Sequence, residues 1–318
     1  MAPLLQVSGL SVRFRTPYGI VRALSDVQLT IHSGELLVVV GESGSGKTVL
    51  ADTIFRLLPL NSEVRGSVRL DGKELLTLSP DAMRSVRSRS LALIPQSPGT
   101  ALNPVRRIGT LLLEVARARG LSAKEGEEGL ARGLDEVGLG WDSISRMYAH
   151  QLSGGMQQRV VNALAFVGTP DLVIADEPTS GLEDDLVDAT VAQLKRIRGR
   201  GAAILVITHD LRFAQKLDGQ IGLMYASYLV ESAPSGIFFA LPAHPYGRGL
   251  LQALPEHGGI PIPGSPVELT VLPSCCVFAE RCSVRKPRCF RESPPMYPVD
   301  GDNHRARCVL YAESERNQ

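Results

Sequence analysis

Gly41-Glu42-Ser43-Gly44-Ser45-Gly46-Lys47-Thr48 satisfies the pattern G-x-x-x-x-G-K-[ST] without a mismatch. Its three glycines let successive backbone N–H groups turn inward around a polyphosphate. Lys47 can then reach the outer phosphates and Thr48 can offer its hydroxyl to Mg²⁺. Upstream, Leu36-Leu37-Val38-Val39-Val40 is a short apolar, β-branched run that suits a buried strand, and Thr48 to Leu58 carries helical spacing. Strand, loop and helix therefore follow in the order a nucleotide-binding loop requires, and the helix N-terminus adds a dipole that favours anions.

Further along, apolar runs end in polar residues suited to a ligand. Leu172-Val173-Ile174-Ala175-Asp176-Glu177 is an apolar strand that delivers two acids at its C-terminal end, and Ala203-Ile204-Leu205-Val206-Ile207 ends at Thr208-His209-Asp210. That edge is where open parallel sheets hold ligands, and it groups Asp176, Glu177 and His209. A lone histidine after a strand is usually structural; partners sharing its sheet edge favour a functional one. Leu91-Ala92-Leu93-Ile94 reads as another strand, ending at Pro95-Gln96. The turn-rich segment from Ser97 to Pro104 after it is expected to be non-helical.

The flanking segments have different periods. Leu5 to Phe14 and Val21 to Ile31 alternate as antiparallel strands with one covered face, and Gly66 to Gly72 reads as a strand closed by a turn. Phe14 is a candidate to stack on an adenine and equally a candidate for the core. Arg84, Arg87 and Arg89 read as a solvated face. From Ile108 to Val137 apolar residues recur at helical spacing, which predicts a helical insert with Glu125, Glu127 and Glu128 facing water. Leu152-Ser153-Gly154-Gly155-Met156-Gln157-Gln158-Arg159 then opens a strongly helical stretch through Phe166. Ser153 is its expected cap, and its start is a second anion-binding terminus.

The whole chain has 318 residues, 44% hydrophobic and 21% charged, with a net charge of +1, so charge gives no signature of a nucleic-acid partner. No apolar run approaches the roughly 18 residues that a membrane-spanning helix needs. The first residues lack the basic region and long apolar stretch of an export signal, which places the chain in the cytoplasm as an expectation. All five cysteines, Cys275, Cys276, Cys282, Cys289 and Cys308, cluster near the C-terminus. In a reducing compartment such a cluster suits a metal site better than disulfides.

The phosphate loop, Gln96, Leu152 to Gln157, Asp176-Glu177 and His209, in this order and spacing, resemble the ATP-binding cassette (ABC) ATPases of transporters over about residues 5 to 255. Gly41 to Thr48, Ala101-Leu102-Asn103-Pro104, Tyr148 to Met156 and His244-Pro245-Tyr246 are similar to the dipeptide, oligopeptide and nickel importer subfamily. So is the tail, with Pro261 to Pro266 and the spaced cysteines Cys276, Cys282, Cys289 and Cys308.

That resemblance implies an α/β fold of the P-loop NTPase type with ABC architecture: a RecA-like core, an antiparallel β subdomain and an α-helical subdomain at about 97–160. Residues 1–255 would form this cassette and residues 256–318 a cysteine-containing extension. It implies ATP as ligand, held by Phe14 and by Gly41, Ser43, Gly44, Ser45, Gly46, Lys47 and Thr48. Mg²⁺ would be held by Thr48, Gln96 and Asp176. Glu177 would polarise the attacking water, and His209 would hold the γ-phosphate and orient Glu177. Ser153, Gly154, Gly155 and Gln157 would close over ATP bound by a second cassette, a sister ATPase or a copy of this chain. Two transmembrane permease subunits and an extracellular solute-binding protein would complete an importer at the cytoplasmic face of the membrane, with peptides as the favoured cargo and nickel or another small solute as alternatives.

A soluble cassette ATPase acting on nucleic acid or ribosomes is the rival; it usually carries a long coiled coil, a zinc hook or two cassettes, and none is visible in this sequence. Two departures stand out. Glu183 occupies the place where the family usually has aspartate, which bears on contacts across the cassette pair, and Cys275 replaces a common glycine. Cys276, Cys282, Cys289 and Cys308 fit an iron–sulfur cluster ([4Fe-4S], as in some relatives), a zinc ion or free thiols, and their spacing does not choose.

Overall fold

The computed structural model of the chain describes residues 2–165, 167–301 and 303–312. Its strands are β1 (Leu5–Thr16), β2 (Gly19–Ile31), β3 (Leu36–Val40), β4 (Ser62–Leu70), β5 (Lys73–Glu74), β6 (Leu91–Ile94), β7 (Leu172–Asp176), β8 (Ala203–Thr208), β9 (Gln220–Tyr225), β10 (Tyr228–Pro234), β11 (Tyr297–Pro298) and β12 (Arg305–Ala306). The helices are α1 (Lys47–Phe55), α2 (Pro80–Arg89), α3 (Pro98–Ala101), α4 (Ile108–Ala118), α5 (Ala123–Asp135), α6 (Trp141–Ile144), α7 (Gly154–Ala165), α8 (Asp184–Gly199), α9 (Leu211–Leu217), α10 (Ser235–Ala240) and α11 (Pro245–Gln252). Two compact units are woven from this order. The first takes 1–5, 31–36 and 70–207; the second takes 6–30, 37–69 and 208–318.

In the first unit β6, β7 and β8 run parallel, with Leu91 opposite Leu172 and Asp176 opposite Ile207. Every residue of β7 and β8 is buried, as continuous apolar runs covered on both faces require. The helical insert is two helices. Gly120, at φ 83°, breaks the run, and Ser122 restarts it through a reciprocal cap with Glu125. Ile108, Leu112, Leu130 and Leu134 are buried there, while Glu125, Glu127 and Glu128 are exposed as expected. Arg84 and Arg89 on α2 are exposed and Arg87 is half-buried.

The expectation that Ser97 to Pro104 is non-helical fails over one turn: Pro98 to Ala101 form α3. Pro98 stands at the first helical position, where its missing N–H would have had no helical partner in any case, so proline starts this turn rather than preventing it.

In the second unit β3 pairs in parallel with β9, Val40 opposite Leu223. Sheet growth then turns antiparallel through β10, β12 and β11. The C-terminal extension therefore contributes strands to the sheet that delivers the phosphate loop. β1 alternates between buried and exposed residues over its first half, the pattern of a strand covered on one face. Phe14 near its end is half-buried. Helix α1 stops at Phe55, three residues before the expected end, because Arg56 turns into the left-handed region at φ 53°.

Candidate functional site

The phosphate loop leaves β3 between close backbone neighbours. A Cβ on Gly41 would stand 2.1 Å from the Met224 carbonyl oxygen and one on Gly46 2.2 Å from that of Ala23, and Gly46 also sits at φ 104°. Only glycine fits these two positions. The turn between β9 and β10 braces the loop from below. Ala226 and Ser227 both take positive φ, and the Ser227 N–H donates to the Ser45 carbonyl at 3.1 Å. Inside the loop the buried Lys47 ammonium donates to the carbonyls of Gly41 (2.8 Å) and Glu42 (2.9 Å). Thr48 is exposed at the start of α1. The loop thus carries a cation, a hydroxyl and a helix N-terminus, the groups that a phosphate chain takes.

His209 follows β8 and is exposed; its neighbour Asp210 caps α9 by accepting from the N–H groups of Arg212 (2.9 Å) and Phe213 (3.1 Å). That cap fixes where the chain turns after β8, and so where His209 is presented.

In the first unit the two acids end β7. Asp176 is buried at 3% exposure and Glu177 at 6%, and Glu177 has φ +49°. A non-glycine residue in this region is strained, and strain of this kind persists only where the surroundings hold it. Here the Glu177 N–H donates to the Ile207 carbonyl at 2.8 Å. Gln96 is exposed just beyond β6. Glu183 takes the N-cap position of α8 without a side-chain cap.

Ser153 caps α7 as expected: its Oγ accepts from the Met156 N–H at 3.2 Å. A Cβ on Gly154 would meet nothing and one on Gly155 only the Leu182 side chain at 3.8 Å, so this chain's own packing does not require glycine at either place. Gln157 faces inward. Its Nε2 donates to the Ala149 (2.8 Å) and Leu152 (3.3 Å) carbonyls, and its Oε1 lies where a Cβ on Gly99 would come within 2.9 Å. It therefore ties α7 to the turn before it and packs against Gly99 of α3, the helix that follows Gln96.

A second cluster lies in the extension. Cys276, Cys282, Cys289 and Cys308 line one small apolar cavity with His244 and Phe278, and Cys275 stands outside it. Cys289 Sγ accepts the Lys286 N–H at 3.4 Å. Burial pushes the Cys276 thiol up to about 11 and raises those of Cys282 and Cys308. Among the described residues no three His, Cys, Asp or Glu side chains converge as they would on one metal ion. His244 is wholly buried with its pKa depressed to about 3, chiefly by desolvation, and stays a neutral ring that accepts from the Tyr246 N–H at 3.1 Å.

Two contacts near the loop escaped the sequence reading. The Tyr246 hydroxyl accepts the Glu42 N–H at 2.9 Å, and Arg281 pairs with the Glu42 carboxylate at 3.0 Å. The sequence separations, 204 and 239 residues, leave no local signal. The Ala226-Ser227 turn was also missed, since Tyr225-Ala226-Ser227-Tyr228 lacks the glycine or asparagine that marks such a turn.

Comparison with known proteins agrees with this geometry. Residues 24–180 match the profile of the ABC transporter family, and residues 230–289 match the oligopeptide/dipeptide transporter C-terminal region. The chain is 38% identical to the oligopeptide transport ATP-binding protein OppD of Haemophilus influenzae, over 98% of this chain and 99% of the relative. It is 39% identical to the probable D,D-dipeptide transport ATP-binding protein DdpD of Escherichia coli, over 98% of each. Among solved structures it resembles an ATP-binding subunit of an ABC transporter at TM-score 0.64 and 27% identity, covering 76% of this chain and 95% of that one. A dimeric ATP-binding cassette bound to ADP and phosphate shares the fold at TM-score 0.66 and 24% identity, covering 73% and 98%. With relatives this similar along nearly its whole length, and with the phosphate loop and paired acids in place, the chain belongs to the ABC transporter ATPases, among the ATP-binding proteins of the oligopeptide/dipeptide type.

Proposed function

We propose that this ATPase powers a membrane importer for di- or oligopeptides, pairing with a second cassette, its sister, beneath two permease subunits served by an extracellular binding protein. The observation that carries this reading is the likeness to peptide-transport ATPases through the extension as well as the cassette. No helix among the described residues is long and apolar enough to cross a membrane. In this reading membrane attachment belongs to separate subunits, which the chain meets at the cytoplasmic face.

Lys47 and the loop N–H groups hold the phosphates in this scheme, and Phe14 faces the adenine. Thr48, Gln96 and Asp176 supply oxygen donors of the hard kind that Mg²⁺ takes, and the ion, when bound, neutralises phosphate charge. His209 holds the γ-phosphate and orients Glu177, which accepts the proton of the attacking water. The water oxygen bonds to the γ-phosphorus, the bond to the β,γ-bridging oxygen breaks, and ADP leaves with its electron pair. Ser153, Gly154 and Gly155, open at the head of α7, close over the partner cassette's ATP, while Gln157 holds that turn in place. ATP joins the cassettes and hydrolysis releases them, driving the permease between its two states.

Affinity purification of the tagged chain from detergent-solubilised membranes tests this. Two hydrophobic permease subunits and a second cassette are the expected companions, with ATP turnover rising when peptide-loaded binding protein is added. Ribosomes or DNA in their place would replace the reading with that of a soluble cassette ATPase.

We also propose that Cys276, Cys282, Cys289 and Cys308 hold an iron–sulfur cluster. What supports this reading is that the four sulfurs line one small cavity and that four cysteines are the ligand set such clusters take. Held by these four residues, such a cluster would keep the buried sulfurs as thiolates and clamp a proline-rich segment with little core of its own. Protein purified without oxygen should be brown and carry iron and sulfide. Colourless, metal-free protein with an ordered extension would remove the cluster.

A further inference from the structure

Glu42, the second residue of the phosphate loop, is held at its carboxylate, its N–H and its carbonyl, and the holder of the carboxylate comes from the C-terminal extension. Its carboxylate accepts from Arg281 Nη1 at 3.2 and 3.0 Å, one contact to each oxygen. Its N–H donates to the Tyr246 hydroxyl at 2.9 Å. Its carbonyl accepts from Lys47 Nζ at 2.9 Å. A displacement of Glu42 therefore moves an anchor of the lysine that meets the phosphates.

Arg281 is itself fixed. It is 8% exposed, Nε donates to the Pro263 carbonyl at 3.0 Å, Nη1 reaches the Tyr225 hydroxyl at 3.4 Å, and the guanidinium lies 5.7 Å from the Tyr225 ring centroid. Tyr225, Tyr246 and Phe278 pack with ring centroids 4.6 to 5.4 Å apart behind it. The arginine sits on the short helical turn Ala279–Arg281, between Cys276 and Cys282 of the cysteine cavity. Burying an ion pair is a poor way to gain stability, since desolvation offsets most of the attraction. Its geometric effect is on position: Nη1 bridges both carboxylate oxygens while Nε is held on the Pro263 carbonyl, so the carboxylate is located by a guanidinium that is itself fixed.

We infer that Arg281 is a positioning residue for ATP, acting through Glu42 on the loop carbonyl that anchors Lys47, so that the cysteine-bearing extension sets nucleotide affinity. This rests on the reading of Gly41 to Thr48 as the ATP loop. A fluorescent ATP analogue, titrated into the purified full-length chain, tests it alongside steady-state kinetics. Arg281→Met is expected to raise both the dissociation constant and the KM for ATP about tenfold, the scale of one charge-assisted hydrogen bond, with kcat little changed. Glu42→Gln should do the same, the double variant should be no weaker than the worse single one, and Arg281→Lys should recover part of the loss. Affinity unchanged in both single variants, or losses that multiply in the double one, would overturn the inference. Should Arg281→Met fail to fold, Glu42→Gln decides alone, because it keeps the shape of the loop and leaves the extension intact; unchanged affinity there overturns the inference too. Lys47→Ala separates the two levels: if it binds the analogue normally, the assignment of the loop itself is at fault.

Discussion

Glu177→Gln is expected to slow ATP hydrolysis by about a hundred- to a thousandfold while leaving ATP affinity nearly unchanged, the scale of a lost general base. The amide has the shape of the carboxylate and lacks the capacity to take a proton at neutral pH. The main-chain hold on the residue, the N–H bond to the Ile207 carbonyl at 2.8 Å at a φ of +49°, does not involve the carboxylate and survives the substitution. The backbone geometry at the end of β7 is thus preserved and the capacity to accept the proton is removed. Phosphate release measured with nucleotide binding on the same preparation checks this. A variant that binds and turns over as the parent does would take the proton-accepting role away from Glu177, and the search would move to other groups near the ends of β6 and β8. One that loses binding as well would mean that the side chain shapes the pocket before any chemistry begins.

The parts of this site that were legible in the sequence are those whose physics is local. Val38, Val39 and Val40 announce a strand buried on both faces because nothing polar interrupts them, and the loop after it is legible from its glycine spacing, although the backbone that excludes a Cβ at Gly41 and Gly46, that of Met224 and Ala23, is remote in sequence. Ser153 was readable as a cap because capping involves neighbours three residues apart. Pro98 misled because proline forbids helix interiors yet suits a first turn, and only the surrounding fold distinguishes the two uses. Gln157 looked like part of a ligand-facing signature, but its amide is spent on the Ala149 and Leu152 carbonyls. Arg281 and Tyr246 were illegible as parts of the loop's support. Each meets Glu42 only after more than two hundred residues of intervening chain have folded, and arginine and tyrosine carry no pattern that names a distant partner.

Lys47→Ala should weaken ATP binding by at least about a hundredfold, and the reason is double. The ammonium is the cation of the loop, and neutralising phosphate charge at a mostly buried point is worth far more than the same contact in water. It is also the clasp of the loop: with Nζ gone, the carbonyls of Gly41 and Glu42 lose a shared donor; that of Glu42 keeps the Ser45 N–H, whereas the loss of a donor at the buried Gly41 carbonyl costs about 1–3 kcal/mol. The two causes differ in what they do to the protein without nucleotide. Loss of charge alone leaves thermal stability untouched, whereas loss of the clasp lowers it. Lys47→Met isolates the first from the second poorly, since it too lacks the donor, but Lys47→Arg keeps charge and donors while enlarging the head group beyond what two carbonyls 2.8 and 2.9 Å away accommodate. Weak binding in Lys47→Arg at near-normal melting temperature would therefore place the requirement in the shape of the loop around a compact ammonium. Near-normal binding there would place it in charge, and would show that the carbonyls can shift to accept a fork.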